Sequence, residues 1–488
     1  MGEQAADAGC LHARNLRQKL IAFNIITIAL MAADPVLVLQ MRRLGDLILT
    51  FPLLEDIRAR YPGQPILVAA EEHFYKGLEK LSPDVIYFPA SRIQELAQGR
   101  YAAIINLGSG PEAAICAGKA HAPLKIGQIN DGSLHIAGFW QIYRANLTLN
   151  NRHNTFHWAD LNRLDLPNAL PLSARASSPL PSAGKKRIGL VVGASVPSKR
   201  PDALFWGRLA SRLTRDGFSP VFLGGKAEIE AGARAAAIAG LDNSNLCGKL
   251  SLRELASLMQ GLALCITPDT GPMHLASWMR CPTLNLSMGP VHANETGPAL
   301  PGQWVLRYNA SCVGCWKCAR SRMFCKNNFT PQAVAQAAAA IINGEQVPAA
   351  RGLDLLRTGR DALGLAELAA VSANVSVRPL LENFWKHAFL AFADESHYPA
   401  ARQQAGDLLD NQAALARNMR KNVGKMLSQT IKVAKGARFE ENFWKNQPWH
   451  SRLFAGHCQL WLQNADSSRQ ALLEVLQRQE ALQDLLSE

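Results

Sequence analysis

Short apolar runs alternate with segments of helical periodicity over most of the chain. Runs that read as buried strands begin near residues 35, 65, 85, 102, 124, 187, 219, 262 and 283. Strands separated by helices are typical of parallel, doubly wound sheets. The pattern therefore predicts an α/β protein with two series of strands, one before and one after a break in the middle of the chain.

Two changes of composition suggest the domain limits. Residues 168–185 are rich in Pro, Ser and Ala and lack periodicity, which predicts a linker. From about 349 the strand-like runs stop, and Ala, Leu, Gln and Arg dominate. We expect an N-terminal extension over 1–33, Rossmann-like domains over 34–167 and 186–348, and an all-helical appendage over 349–488.

The N-terminal extension allows two interpretations. Leu20 to Met31 is apolar apart from two polar positions and follows three basic residues, which resembles a signal peptide. However, a core strand begins at once, at Pro35, and this favours an upstream extension with Met31 as the true start. No run reaches the ~18 apolar residues of a membrane span. We expect a cytoplasmic protein.

The charge balance narrows the class of partner. The 488 residues carry a formal net charge of +13, which favours acidic partners such as nucleotides, phosphorylated glycans or anionic lipid surfaces. No Lys/Arg-rich block is interleaved with aromatic residues, so we expect no nucleic-acid partner.

The segment 262–290 is the most informative in the chain. An apolar run, the turn Pro268-Asp269-Thr270-Gly271, an amphipathic stretch and a second apolar run predict a strand–helix–strand unit. Asp269 or Thr270 could cap the helix, and Gly271 would let a ligand approach the backbone. The turn is therefore either a phosphate site at a helix start or only a well-capped helix.

Three further strand-end turns carry candidate residues. Asp46 follows the first strand at an expected N-cap position, and is either a cap or a general base. Lys199 could offset diphosphate charge or lie in a solvated basic turn. Glu228 follows Gly224-Gly225, where an acidic residue either binds ribose hydroxyls or only starts a helix.

Four of the ten cysteines fall in one short segment: Cys312, Cys315, Cys318 and Cys325. Thiolates at this density can hold zinc or an iron–sulfur cluster. The spacing matches neither the usual zinc ribbon nor the bacterial cluster motif. Metal binding, disulfides and free thiols all remain open.

Three motifs in register resemble glycosyltransferase family 9, the ADP-heptose:lipopolysaccharide heptosyltransferases. Arg43 to Thr50 followed by Pro52 is similar to the family's R-x-G-D-x-(I/V/L)-x-(S/T)-x-P segment. Asp269 to Ala276 is similar to its D-(S/T)-G-x-x-H-x-A signature. Gly289-Pro290 with Thr296-Gly297-Pro298 matches its G-P and T-G-P turns. The resemblance extends from about 36 to 345.

The resemblance implies a GT-B fold, in which two Rossmann-like domains face a cleft, and inverting transfer that needs no metal ion. It implies an ADP-heptose donor, a lipid-linked glycan acceptor and a peripheral position at the inner-membrane surface. The implied roles are: Asp46 as general base, the amides of Thr270 and Gly271 on the diphosphate, Asp269 on the sugar, Lys199 on a phosphate and Glu228 on the ribose.

Three alternatives stay open. The same fold could transfer another nucleotide-activated sugar. The cysteines could make this a metal or redox protein whose α/β part binds a nucleotide as regulator. The chain could also be a degenerate transferase that acts as a binding scaffold.

Overall fold

The computed structural model describes residues 34–41, 43–172, 179, 184, 186–372, 377–437 and 443–487. The predicted extension 1–33 and most of the predicted linker lie outside these residues. The chain packs into two compact units. The first comprises Leu53–Ala137 and the described residues before Arg43, and the second comprises Arg43–Pro52 and Gly138–Glu488.

The first unit contains a six-stranded sheet. Its strands are β1 (Val36–Leu39), β2 (Ile66–Ala70), β3 (Ile86–Pro89), β4 (Ala103–Asn106), β5 (Lys125–Asn130) and β6 (Leu134–Ala137). Their order is β3-β2-β1-β4-β5-β6, and only the β5–β6 pair is antiparallel. All four residues of β1 are buried, because helices cover both faces of a parallel sheet.

Five helices are associated with residues 34–146. They are α1 (Leu44–Leu49), α2 (Phe51–Arg60), α3 (Glu72–Tyr75), α4 (Pro111–Lys119) and α5 (Phe139–Asn146). The helical spacing of apolar residues from Leu47 to Tyr61 predicts one helix. This prediction is wrong, since α1 begins three residues earlier and α2 is a separate helix. Short 3-10 turns lie at Ala90–Leu96, Pro197–Lys199, Lys226–Glu228, Asp242–Ser244, Glu395–His397 and Phe443–Asn446.

The second unit contains a seven-stranded sheet. Its strands are β7 (Arg187–Val191), β8 (Ser219–Leu223), β9 (Leu264–Pro268), β10 (Thr283–Ser287), β11 (Trp304–Tyr308), β12 (Leu353–Arg360) and β13 (Ala366–Ser372). They run in the order β13-β12-β11-β10-β9-β7-β8. The strands from β7 to β11 pair in parallel, and the hairpin β12–β13 adds to β11 in antiparallel fashion.

Twelve more helices lie after residue 157 in the described chain. They are α6 (Trp158–Leu161), α7 (Ala203–Arg215), α8 (Ile229–Ala239), α9 (Leu252–Gln260), α10 (Gly271–Trp278), α11 (Ala293–Thr296), α12 (Phe324–Asn327), α13 (Pro331–Asn343), α14 (Arg378–Ala393), α15 (Tyr398–Ala434), α16 (Arg452–Asn464) and α17 (Arg469–Leu485). No helix in the described ranges is both long enough and apolar enough to cross a bilayer.

The two α/β sheets and the C-terminal helices confirm the predicted fold class. The start of the helical region at 349 is wrong, because β12 and β13 occupy residues that we assigned to helix. Leu353, Leu355 and Leu356 are buried residues of β12, within the second sheet. Their pattern is a poor strand signal, since Arg and Gly residues interrupt it; pairing with β11 outweighs that weak local preference.

Residues 138–166 pack in the second unit, although we assigned them to the first Rossmann-like domain. The carboxylate of Asp165 accepts hydrogen bonds from the N–H groups of Trp140 (3.0 Å) and Gln141 (2.9 Å) and so caps α5. The Asn146 amide donates to the carbonyl of Leu453 on α16 at 2.7 Å. The bond from Asn146 attaches α5 to α16.

Candidate active site

Asp46 lies inside α1 and not at its N-cap. The N-cap is Arg43, which has a φ of 62° and makes no side-chain cap. Asp46 is the third helical residue, and its backbone carbonyl accepts a hydrogen bond from the Thr50 hydroxyl at 2.9 Å. The capping alternative is therefore wrong, because the carboxylate of Asp46 does not cap α1.

The starts of α1 and α10 pack directly against each other. A β-carbon added to Gly45 would lie 2.9 Å from Cδ2 of His274 and 3.6 Å from the α-carbon of Gly271. A β-carbon added to Gly271 would lie 3.2 Å from Cδ2 of Leu44. The two glycines therefore allow a close approach that larger residues would prevent. This contact brings the Asp46 and Asp269 motifs together within the second unit.

Several charges act on the Asp46 carboxyl. Burial raises its pKa, while the charges of Arg43 and Arg144 lower it. Asp269 raises the pKa further, and Lys199 lowers it. Asp46 is thus a half-buried carboxylate whose affinity for a proton exceeds that of an ordinary surface aspartate, as a general base requires.

Neither predicted cap residue caps α10. Thr270 occupies the N-cap position but makes no side-chain cap hydrogen bond. The Asp269 carboxylate instead accepts a hydrogen bond from Thr296 Oγ1 at 3.0 Å and lies 3.7 Å from Lys199 Nζ. Burial raises the pKa of Asp269, against the effects of Lys199 and Thr296. Among the described residues, no side chain accepts from the first-turn amides of α10, which is the arrangement of an anion site.

Lys199 ends a 3-10 turn after β7, and this turn is packed against the Gly289-Pro290 motif. Gly289 has a φ of 78°, and a β-carbon there would lie 2.2 Å from the carbonyl oxygen of Ser198. Any larger residue would therefore displace the turn. The lysine amine reaches Asp269 from this position, so Lys199 belongs to the same cluster as the start of α10.

Glu228 makes local contacts at the turn after β8. Its Oε2 accepts a hydrogen bond from Gly225 N at 2.9 Å, and its Oε1 lies 3.6 Å from Arg200 Nη1. A β-carbon at Gly193 would lie 2.6 Å from Cδ of Glu228. The carboxylate thus stabilises its own turn beside the end of β7, and ribose binding by Glu228 stays a prediction.

Glu295 is a buried acidic residue that our sequence analysis did not single out. Only 4% of it is exposed. Oε1 accepts a hydrogen bond from Trp158 Nε1 at 2.9 Å, and Oε2 accepts one from the Asn151 amide. Burial raises the pKa of Glu295 to about 7, and Asp269 contributes to this increase. Its position beside the Thr296-Gly297-Pro298 motif was the available sequence signal.

Arg144, on α5, was also missed. Its Nη1 donates to Asn162 Oδ1 at 2.9 Å, and its guanidinium lies 4.7 Å above the Trp158 ring. Burial lowers the pKa of Arg144, while the charges of Asp46 and Glu295 raise it. Arg144 is therefore the positive group that links these two carboxyls, and no local motif marks it.

Two buried histidines complete the cluster. The Nε2 of His157 lies 3.0 Å from the Gly297 carbonyl, while its Nδ1 accepts from the Ala159 amide at 3.2 Å. His274 is buried, and its Nδ1 has no hydrogen-bond partner among the described residues. Burial, with smaller contributions from His157 and Lys199, lowers the pKa of His274 to about 3. His274 is a neutral packing residue under Gly45.

Cys312, Cys315 and Cys318 lie in the loop between β11 and α12, and Cys325 lies in α12. All four are free thiols. Burial raises the pKa of Cys315, and the three neighbouring cysteines add to this effect. In the part of the chain that the structure describes, no three His, Cys, Asp or Glu side chains are placed to share one ion. Metal binding by this loop stays a prediction, and no chemical step is derived through it.

A family model described as glycosyltransferase family 9 (heptosyltransferase) matches residues 90–323. The chain belongs to glycosyltransferase family 9. The matched range contains Lys199, Glu228 and Asp269, whereas Asp46 precedes it.

Named relatives of family 9 match shorter stretches. Lipopolysaccharide heptosyltransferase 1 of Pseudomonas aeruginosa is 36% identical over 118 residues, which are 24% of this chain and 32% of that protein. Lipooligosaccharide heptosyltransferase 2 of Campylobacter jejuni is 29% identical over 189 residues, 36% of this chain and 58% of that protein. The matches thus span less than two thirds of either relative.

A solved family 9 structure has the same fold. The glycosyl transferase family 9 protein of Veillonella parvula superposes with a TM-score of 0.50 at 23% identity. The superposition covers 64% of this chain and 98% of that chain. The remaining third of this chain is additional to that shared fold.

Proposed function

We propose that this protein transfers heptose from ADP-heptose to a hydroxyl group of a lipid-linked core glycan, with inversion and without a required metal ion. The observation that carries the proposal is the packing of Gly45 on Gly271 and His274. This contact brings a carboxylate with a raised pKa, that of Asp46, into one cluster with Lys199 and the uncapped start of α10.

Asp46 is the general base of the proposed reaction. It accepts the proton of the acceptor hydroxyl while the oxygen attacks the anomeric carbon, and ADP leaves from the opposite face. Its raised pKa favours proton acceptance, and the positive charges of Arg43 and Arg144 keep the carboxylate ionised before the reaction.

The donor would be held at the start of α10. In this proposal the backbone amides of Thr270 and Gly271 bind the diphosphate, and the Lys199 amine stabilises the charge that develops on departing ADP. Asp269 contacts the sugar, from a position supported by its hydrogen bond with Thr296. Glu228 binds the ribose hydroxyls.

The proposed place of action is the cytoplasm, at the surface of the inner membrane. The formal net charge of +13 supports an encounter with an anionic, lipid-borne acceptor. The proposal requires only peripheral association with that surface.

Calorimetry with ADP-heptose, ADP and UDP tests the donor class and the base together. We expect the ADP compounds to bind wild type and Asp46→Ala about equally, because Asp46 does not contact the leaving group. Transfer by Asp46→Ala should fall by about 10²- to 10⁴-fold. The exposed Asp242→Ala is the matched control and should keep full transfer activity.

Preferential binding of UDP would mean that the donor is another nucleotide sugar, used by the same fold, and not ADP-heptose. Binding of no nucleotide at all would refute the transferase proposal. Elemental analysis of the same protein preparation tests the separate proposal of zinc or an iron–sulfur cluster at the four cysteines.

A further inference from the structure

A cavity of about 670 Å³ lies in the second unit, and it shares His157 with the cluster around Asp46. Its walls come from the loop 152–157, the hairpin β12–β13, the loop after β11 and the first turns of α14. Asp46, Lys199 and Asp269 do not line it. The volume falls within the range of small-molecule sites, which is roughly 300–1,000 Å³.

Three arginines, Arg152, Arg307 and Arg378, meet at this cavity. Burial lowers the pKa of both Arg152 and Arg307, and the next largest cause in each case is the charge of Arg378. Like charges gathered at a partly buried wall repel each other, and a bound anion would relieve that repulsion.

The carboxylates of the wall do not neutralise all three arginines. Glu382 pairs with Arg378. Asp354 lies 3.8 Å from Arg307 Nε and also accepts hydrogen bonds from the Asn309 amide at 3.0 and 3.1 Å. Within the described residues, Arg152 has no carboxylate partner, so its charge is available to a ligand.

Two further charged groups, Lys386 and Glu367, line the cavity. Lys386 forms an ion pair with Asp361 at 2.7 Å, and Glu367 is exposed to solvent. The charge that distinguishes the site is therefore that of Arg152, whose guanidinium can bind a phosphate or carboxylate group through two parallel hydrogen bonds.

The cavity also contains buried polar atoms that lack partners. His153 is 4% exposed, and neither of its ring nitrogens has a hydrogen-bond partner among the described residues. The buried hydroxyl oxygen of Thr155 also has no hydrogen-bond partner among the described residues. Buried polar groups are costly unless they are hydrogen-bonded, so hydroxyl groups of a ligand would complete this wall.

Trp449 adds a flat apolar face at the edge of the cavity. It is 44% exposed, with the Arg152 guanidinium 5.1 Å from its ring and the His153 ring at 5.2 Å. An apolar face next to hydroxyl partners and a free guanidinium suits a sugar ring, which has a C–H face and hydroxyl edges. We propose that this cavity binds an anionic carbohydrate, a sugar that carries a phosphate or carboxylate group.

This proposal is tested by measuring the affinity of the full chain for four probes: glucose 6-phosphate, glucuronate, glucose and inorganic phosphate. We expect at least one of the two anionic sugars to bind about tenfold more tightly than glucose or phosphate, because only these probes offer both kinds of group. Comparison of glucose 6-phosphate with glucuronate then distinguishes a phosphate ligand from a carboxylate ligand.

Arg152→Gln should weaken binding of the anionic sugar about tenfold. Arg357→Gln is the matched control, because Arg357 also lies 5.1 Å from a tryptophan ring, that of Trp304, but does not line the cavity. Circular dichroism and the melting temperature verify that both variants fold. The assay uses no sugar donor, so its outcome is independent of the proposed transfer reaction.

Four results would overturn the proposal: no binding of any probe, equal binding of glucose and the anionic sugars, unchanged affinity in Arg152→Gln, or displacement of the sugar by ADP. The last result would place the ligand at the start of α10 instead of in this cavity.

Discussion

Gly45 lies directly against the ring of His274, so that a β-carbon at Gly45 would be 2.9 Å from Cδ2 of the histidine. His274 is buried and cannot move aside without disturbing its surroundings. The glycine is therefore what lets α1 approach α10 closely enough to bring Asp46 to the cluster of Asp269 and Lys199.

Gly45→Ala should reduce transfer by about 100-fold, because a displacement of roughly 1 Å misplaces the base. ADP binding should change little, since the start of α10 is intact. Steady-state kinetics with calorimetry measure both quantities. The control is Gly406→Ala, where an added β-carbon contacts nothing. Full activity of Gly45→Ala would mean that this contact does not position Asp46.

Arg144→Gln should move the acidic limb of the pH–rate profile to higher pH. The base is active when ionised, so the rate rises as the pH increases through the pKa of Asp46. Arg144 lowers that pKa, and its removal allows burial to raise it further. Profiles of kcat/KM for wild type, Arg144→Gln and the exposed Arg234→Gln test this. An unmoved limb in Arg144→Gln would contradict the assigned effect.

Glu295→Gln should change how stability depends on pH. The carboxyl has a pKa of about 7 in the folded chain against 4.5 without burial, so the folded state holds the proton more tightly. Wild-type stability therefore decreases as the pH rises from about 4.5 to about 7, by up to about 3 kcal/mol from this group. A glutamine side chain does not ionise, so the stability of the variant should not show this decrease.

Denaturant unfolding of wild type and of Glu295→Gln, at a pH below about 4.5 and at a pH above about 7, measures this difference in the pH dependence of stability. The free energy of unfolding of the variant should rise relative to that of wild type as the pH increases. This trend holds even if the loss of one hydrogen bond lowers the stability of the variant at every pH. Glu480→Gln, an exposed change on α17, should show no such trend. Parallel pH curves for wild type and Glu295→Gln would refute the prediction.

The parts of the structure that depend on local pattern were predictable. The strands from β1 to β5 and from β7 to β10, and the turn from Asp269 to Gly271, lie where apolar runs and turn residues placed them, because buried parallel strands require such runs. The sequence predicted an N-cap position for Asp46, whereas it is the third residue of α1. The N-cap of α1 is Arg43, which makes no side-chain cap, so no capping residue marked the start of this helix in the sequence.

The parts that depend on distant contacts could not be predicted. Arg144 and Glu295 are separated by 150 residues of sequence, and only the folded chain shows that both act on the Asp46 cluster. The hairpin β12–β13 was missed for the same reason. Its residues have weak strand patterns, and β11 supplies the hydrogen bonds that make them strands.

The division of the chain between the two units has a consequence for protein engineering. Residues 43–52 and 138–166 pack with the C-terminal half, although both precede the predicted linker. A chimera joined at residues 168–185 would therefore exchange Asp46 and Arg144 without the partners that surround them. Exchange of the second unit as an intact piece requires junctions at 42/43, 52/53 and 137/138, because this unit consists of two separate segments of sequence.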